Sequence, residues 1–394
     1  MTATFSDDLP QLLDDVEGPM VELRHDLHAH PELSFQEHRT TQVVRDRLVE
    51  LGWELASCPT ETGAVATLRG AKPGRRIMIR GDIDALPVAE ENQISFASVN
   101  DGVMHACGHD VHTAGLLGIA DLLARRQEEL AGEFTLLFQP AEEALGGATA
   151  MIEGGVLRDN PVDVVVGAHV SSLAPLGFVG TKAGVLMSEA SSLVVHIEGK
   201  GGHGAMATVD GNVILAVSHL APRLGEVVAG LSFEGTNCAC SAGVINAGTA
   251  MNVVPRHAIL RGTLRTFTGE QLVDALERLR SLLREVEATF TVTCALDLTD
   301  RAPAVVNHAD VYEQVMKSAA KVVGNGAMTV PPMSPSDDVS EFMNLVPGCY
   351  MFIGGANDDG SSGMHHSPDF QVQDGSCRIL AGVLAQSAVD LAQL

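Results

Sequence analysis

Basic residues are what this chain of 394 residues has least of: 25 Lys and Arg stand against 50 Asp and Glu, a formal charge of −25. Lysine occurs only at Lys72, Lys182, Lys200, Lys317 and Lys321. Without a basic cluster, nucleic acid and anionic membrane are excluded as main partners, since clustered Lys and Arg hold both. Long apolar runs are missing too, and no window approaches the roughly 18 uncharged residues of a membrane-spanning helix. The opening MTATFSDDLPQLLDDVEG is acidic where a secretion signal is basic, so no signal is read there. The seven cysteines (Cys58, Cys107, Cys238, Cys240, Cys294, Cys349, Cys377) are odd in number and scattered, unlike a disulfide framework. They point to a reducing, cytoplasmic setting. Internal repeats and low-complexity tracts are also absent.

What is present is a globular composition. Hydrophobic residues make up 45% and charged residues 19%, which excludes disorder for the chain as a whole. At about 100–200 residues per domain, the length allows two cores. Residues 8–51 read as helical. RRIMIR (75–80), EFTLLFQ (133–139) and VDVVVGA (162–168) read as buried strands, with HTAGLLGIADLLARR (112–126) a helix between the first two. That alternation predicts an α/β fold with a mostly parallel sheet covered by helices. Near Gly184 the pattern changes. Strands at 192–199, at CSAGVINAG, at 257–267 and at 291–298, with helices at 212–228 and 270–290, follow the β-α-β-β-α-β order of a ferredoxin-like α+β unit. The expected organisation is therefore a discontinuous catalytic domain, residues 1–184 and 299–394, interrupted by an inserted domain at 185–298. A buried strand at 350–355 and a helix near 374–392 close the first domain.

The placement of acidic and imidazole residues carries the chemistry. Asp82 and Asp84, Glu142 and Glu143, and His169 all fall just past the predicted strands, at the edge where open α/β sheets bind ligands. MHACGHDVH (104–112) stands at the start of the intervening helix. There the positive helix terminus is expected to favour a Cys107 thiolate. A thiolate, imidazoles and carboxylates converging on one edge suit zinc or another late first-row divalent metal.

At these residues the sequence resembles the dinuclear metallohydrolase family of aminoacylases, hippurate hydrolases and glutamate-releasing carboxypeptidases, in its amidohydrolase branch, which includes indole-acetyl-amino acid hydrolases. The resemblance runs nearly end to end, through RHDLHAHPELSFQEH (24–38), RGDIDALP (80–87), MHACGHDVHTA (104–114) and FQPAEEALGGATAMI (138–152). GKGGHGA (199–205), MNVVP (251–255), RGTLRTF (261–267) and MHHSPDF (364–370) follow in the family's order. It implies a metal-dependent amidohydrolase that cleaves an N-acyl amino acid with water. It also implies two divalent ions, with zinc first and manganese, cobalt or nickel as alternatives, and an inserted domain that serves as lid and as the interface of a homodimer or higher homo-oligomer.

Position by position, the resemblance makes Cys107, His109, Glu143, His169 and His366 the metal ligands and Glu142 the general acid/base. Asp82 and Asp84 would support the ligands rather than bind metal. His366 is preferred to His365 because it lies two residues before Pro368, as the family's ligand does. His203 would donate to the substrate carbonyl, and Asn252 and Arg265 would hold the substrate. His112, one helical turn from His109, is kept outside the ligand set. MATVDGN after GGHGA, and SPSDDVSEF (334–342), depart from the branch, so the resemblance reaches the chemistry further than the choice of substrate. The alternatives are a dipeptidase or carboxypeptidase, a deacetylase of an amino-acid intermediate, a catalytically silent ligand-binding relative, and a cysteine hydrolase using Cys107 with His109.

Overall fold

The computed structural model describes residues 4–394, apart from the side chain of Asp300. The first three residues of the acidic opening stretch lie outside the described residues. The chain divides into two compact units, one of Met1–Leu186, Val306–Val330 and Asp338–Leu394, the other of Met187–Val305 with Pro331–Asp337.

The first unit is built on an eight-stranded sheet in the order Glu54–Leu55, Ala64–Arg69, Ala131–Gln139, Lys72–Asp82, Val164–Pro175, Gly348–Ala356, Val179–Thr181, Ala327–Thr329. Its centre is parallel: Lys72–Asp82 pairs in parallel with both Ala131–Gln139 and Val164–Pro175, and Gly348–Ala356 with Val164–Pro175. Strand periodicity sends successive side chains to opposite faces, and both faces are buried. Ile77, Ile79, Leu136 and Val166 join one apolar cluster, whereas Met78, Leu137 and Val165 join another with Phe342. The first cluster lies under the helices Phe5–Ala29, His109–Ala124, Ala309–Val323 and Gly375–Ala392. His109–Ala124 is buried along its whole length as far as Leu123. Gly118 admits Met20 where a Cβ would collide with its sulfur.

The stretch read as helical over 8–51 is two helices, Phe5–Ala29 and His38–Glu50. Pro31 forces the break, because it disfavours helical backbone at His30, whose φ is −127°.

The second unit holds a four-stranded antiparallel sheet in the order Ala239–Ala247, His257–Thr266, Glu189–Glu198, Thr293–Ala302. The helices Val213–Leu220 and Gly269–Phe290 complete the β-α-β-β-α-β order. Asn212 caps the first helix by accepting the amides of Ile214 and Leu215, and Thr268 caps the second through Gln271 N. The helix expected over 212–228 stops at Leu220, passes through a 3₁₀ turn at Ala221–Arg223 and resumes at Leu224–Val227. Pro222, which cannot donate the next helical hydrogen bond, is the cause. Residues 299–305 and Pro331–Asp337, inside the expected catalytic stretch 299–394, fold with this unit instead: Ser188 N bonds Met333 O at 3.0 Å and Thr236 Oγ1 bonds Pro332 O at 2.8 Å.

Candidate metal centre

Five chain segments of the first unit meet at the C-terminal edge of its sheet. Pairing between Lys72–Asp82 and Val164–Pro175 ends at Arg80 opposite Gly167, so His169 projects beyond the shared ladder. Asp82 closes its strand, and Pro140 to Glu143 follow the strand ending at Gln139. Gly108, with φ +88°, turns the chain into the helix that begins at His109. His366 is brought in by its own amide, which bonds Ala106 O at 2.8 Å.

Cys107 Sγ lies 3.4 Å from His169 Nε2. The donor atoms of Cys107, His109 and His169 lie within 4.8 Å of one another, as do those of Cys107, Glu143 and His366. The five residues expected as ligands thus form two three-donor groups that share one sulfur. A third group joins Glu142 to His109 and Glu143. His366 Nε2 is 3.4 Å from Glu143 Oε1. His109 Nε2 and Glu143 Oε1 are buried with no hydrogen-bond partner. Orphaned buried polar atoms are costly, and a dication between these donors would satisfy them, so the residues fit a metal centre.

The remaining atoms of the cluster are pinned. His109 Nδ1 donates to Asp84 O at 2.9 Å and His169 Nδ1 to Val170 O at 2.7 Å, which leaves each Nε2 as the donor to a metal. Asp82 Oδ1 lies 2.5 Å from His112 Nδ1, while Asp82 Oδ2 accepts Arg80 Nη1 at 2.6 Å. Asp84 accepts the amides of Glu142 and Glu143 at 3.1 and 3.0 Å.

The electrostatics of the cluster follow from its burial and its carboxylates. Burial first, and then Glu143, Glu142 and Asp82, push the Cys107 thiol well above its ordinary range. A cation bound at this sulfur would favour the thiolate. Burial opposes a charge on His109, yet Asp82, Asp84 and Glu143 together outweigh it and lift its pKa to about 10. Burial, with His112 and His365 adjoining, holds His169 well below the usual histidine range. On Asp82, burial is overcome by His109, His112 and Arg80, which keep its carboxyl well below the carboxylate range.

His365, passed over in the sequence, is in the cluster as well. Its Nδ1 is 3.7 Å from Cys107 Sγ and its Nε2 accepts Ser172 N at 3.3 Å. Burial lowers its pKa to about 4. Arg80 supports the cluster from beneath it in the chain's first long strand. It is fully buried and joins Asp82, Gln139 and Asp338. An Arg amid a buried strand was the available signal, because such a charge needs partners.

His203, Asn252 and Arg265 belong to the second unit. His203 is exposed in a two-residue strand paired with Val253–Val254 and accepts Ala205 N at 3.1 Å. Asn252 O accepts Gly204 N at 2.7 Å, so the two loops adjoin. Arg265 Nη1 donates to Ser334 O at 3.2 Å and Ser336 Oγ at 3.1 Å.

Residues 78–390 match peptidase family M20/M25/M40. The chain belongs to that family. N-acetylcysteine deacetylase of Bacillus subtilis is 35% identical over 373 residues, 94% of this chain and 96% of the relative. Thermostable carboxypeptidase 1 of Saccharolobus solfataricus is 34% identical over 378 residues, 95% of each. A solved Bacillus subtilis structure, described as a dinuclear metal binding peptidase from the M20 family, superposes with a TM-score of 0.80 at 31% identity, covering 96% of this chain and 99% of the other. The protein is accordingly a metal-dependent hydrolase of amide bonds. No helix among the described residues is long and apolar enough to cross a membrane.

Proposed function

We propose that this M20 family protein hydrolyses the amide bond of an N-acyl amino acid to a carboxylic acid and a free amino acid. The observation that carries the reading is the sharing of Cys107 Sγ by two three-donor groups, with Glu142 beside His109 and Glu143. Cys107, His109, Glu143, His169 and His366 would hold two divalent ions. The relative described as dinuclear supports that count. Zinc suits the sulfur and imidazole donors, and manganese, cobalt and nickel are the other candidates. Such ions supply positive charge that polarises an amide carbonyl and eases the deprotonation of water.

Glu142, anchored through its amide on Asp84, takes the proton of the attacking water and returns it to the departing amine nitrogen. Asp82 and Asp84 orient the ligands. His203 accepts a hydrogen bond at Nδ1, so its proton sits on Nε2, a donor suited to the substrate carbonyl oxygen. Asn252 and Arg265 hold the amino-acid half. The chain pairs with a second copy through the second unit, whose edge strand Ala239–Ala247 exposes Val244 and Ile245. The cytoplasm is the assigned compartment, since all seven cysteines are free.

A carboxypeptidase, or a deacetylase of a small N-acetyl amino acid, is the second reading, favoured by the names of the two relatives above. The test is a panel of N-acetyl, N-benzoyl, long-acyl and indole-acyl amino acids with dipeptides, assayed before chelation, after it and after adding back single metals. Chelator-sensitive cleavage restored by metal is expected. Activity that resists chelation but falls to thiol alkylation would return the cysteine-hydrolase alternative.

A further inference from the structure

Three successive amides in the Pro140–Glu143 turn are received by carboxylates. Asp84 takes those of Glu142 and Glu143, and Glu37 Oε1 takes that of Ala141 at 2.8 Å. Ala141 needs such an anchor, because it is a non-glycine residue held at φ +52°. Isolated left-handed backbone of this kind persists only where the surroundings over-determine it. Of the six non-glycine residues with positive φ among the described residues, Phe35, Ala141, Leu145 and His366 lie at or beside this turn and the metal ligands.

Glu37 is fully buried. Besides Ala141 N it receives Phe35 N on Oε1 at 3.0 Å and Thr62 Oγ1 on Oε2 at 2.6 Å. Its position in the chain makes this use of the carboxylate unexpected. Glu37 stands at the N-cap of His38–Glu50, yet its side chain makes no capping bond. Glu32 does that work instead, accepting Arg39 N at 2.9 Å and Thr40 N at 2.8 Å. The two glutamates of PELSFQE thus divide the tasks: Glu32 caps the helix, and Glu37 reaches across to the turn before Glu142.

We infer that Glu37 is a positioning residue that holds the Ala141 turn so that Glu142 meets the reacting water and amine in register. The inference rests on Glu142 being the general acid/base. Displacing a catalytic group by about 1 Å can cost on the order of a hundredfold in rate.

The experiment uses the full-length, metal-loaded protein and the variants E37A, E37D, E37Q, E142Q and E37A/E142Q, with kcat expressed per folded, metal-containing site. E37A and E37D are expected to lower kcat about 10–100-fold with KM within roughly twofold. E37Q should recover most of kcat, because its amide oxygen can accept Ala141 N and Phe35 N while its NH₂ donates to Thr62. In the E142Q background E37A should cost little more. If E37A keeps wild-type kcat per site, or if its loss multiplies unchanged onto that of E142Q, Glu37 is a structural residue only and the inference falls. If E142Q itself stays fully active, the acid/base assignment fails, a result distinct from either of these. Should E37A not fold, E37D and E37Q decide the matter by the same contrast.

Discussion

Asp82 and His112 meet at 2.5 Å, Oδ1 to Nδ1, with both side chains fully buried. The opposite nitrogen of His112 accepts Val170 N at 2.8 Å, directly after His169. The carboxylate fixes the ring, and the ring fixes the backbone that presents His169. His112→Ala should therefore weaken metal binding by about 10–100-fold, as loss of such supports commonly does. Competition against a chromogenic chelator measures it, and unchanged affinity would remove His112 from the supporting role.

Cys107 and Glu142 are expected to separate cleanly on substitution. Cys107→Ala should lower the metal content of both groups that share the sulfur, read by elemental analysis after dialysis. Glu142→Gln should keep its metal and lose on the order of 10²–10⁴ in kcat, the usual range for general acid/base groups. Near-full activity in Glu142→Gln would refute the assignment.

Arg80 donates to Asp82 at 2.6 Å and to Asp338 at 2.8 Å, all inside the first unit. Removing one partner of a buried ion pair strands the other charge, at a cost of about 3–5 kcal/mol. Arg80→Met should lower the denaturant midpoint accordingly, with the metal ligands untouched. A loss below about 1 kcal/mol would show that the carboxylates find other partners.

His28 lies between Asp110 at 3.0 Å and Glu90 at 3.2 Å. Burial works against its charge, but these carboxylates outweigh it and raise the pKa to about 9. Because the folded pKa exceeds the unfolded value of roughly 6.5, the stabilisation is complete below about pH 6.5 and is lost as pH rises through about 9. His28→Gln should be less stable than the parent at pH 6, by up to about 3 kcal/mol. The gap should close above pH 9. Urea unfolding across that range tests the sign, and a gap that widens with pH would contradict it.

The surplus of 50 acidic over 25 basic residues sets a net negative field against a substrate proposed to be anionic. Salt screens that field, with a Debye length falling from about 30 Å at 0.01 M to 8 Å at 0.15 M. KM for an acyl amino acid should drop over this interval at constant kcat. A rising KM would mean that local attraction outweighs the acidic surround.

Much of the centre could be read from the sequence because its residues stand in or just after strands whose apolar runs are unmistakable, although the strand expected to end before His169 runs on to Pro175. Asp82, the Glu142–Glu143 pair and His169 are placed by local pattern alone. The supports were less visible, since they are made by distant segments: Glu37 is 104 residues from Ala141 and Arg80 is 258 from Asp338. The groups that oppose a Cys107 thiolate are hidden from the sequence for the same reason. A helix terminus is visible in sequence, whereas the carboxylates that oppose it converge only on folding. Strands of two or three residues, such as Val179–Thr181, carry no period to detect.

The centre of the first sheet also sets an order of events during synthesis. Val164–Pro175 has Lys72–Asp82 on one side from the start, but finds its second parallel neighbour, Gly348–Ala356, only after the whole of Met187–Val305 has been made. Until then a buried-type strand stands unpaired on one side, the kind of edge that recruits other chains. His366 arrives later still. Ribosome-bound chains stopped before residue 348 should therefore aggregate rather than rest in a native-like state, and acquisition of the full ligand set should be among the last steps of maturation.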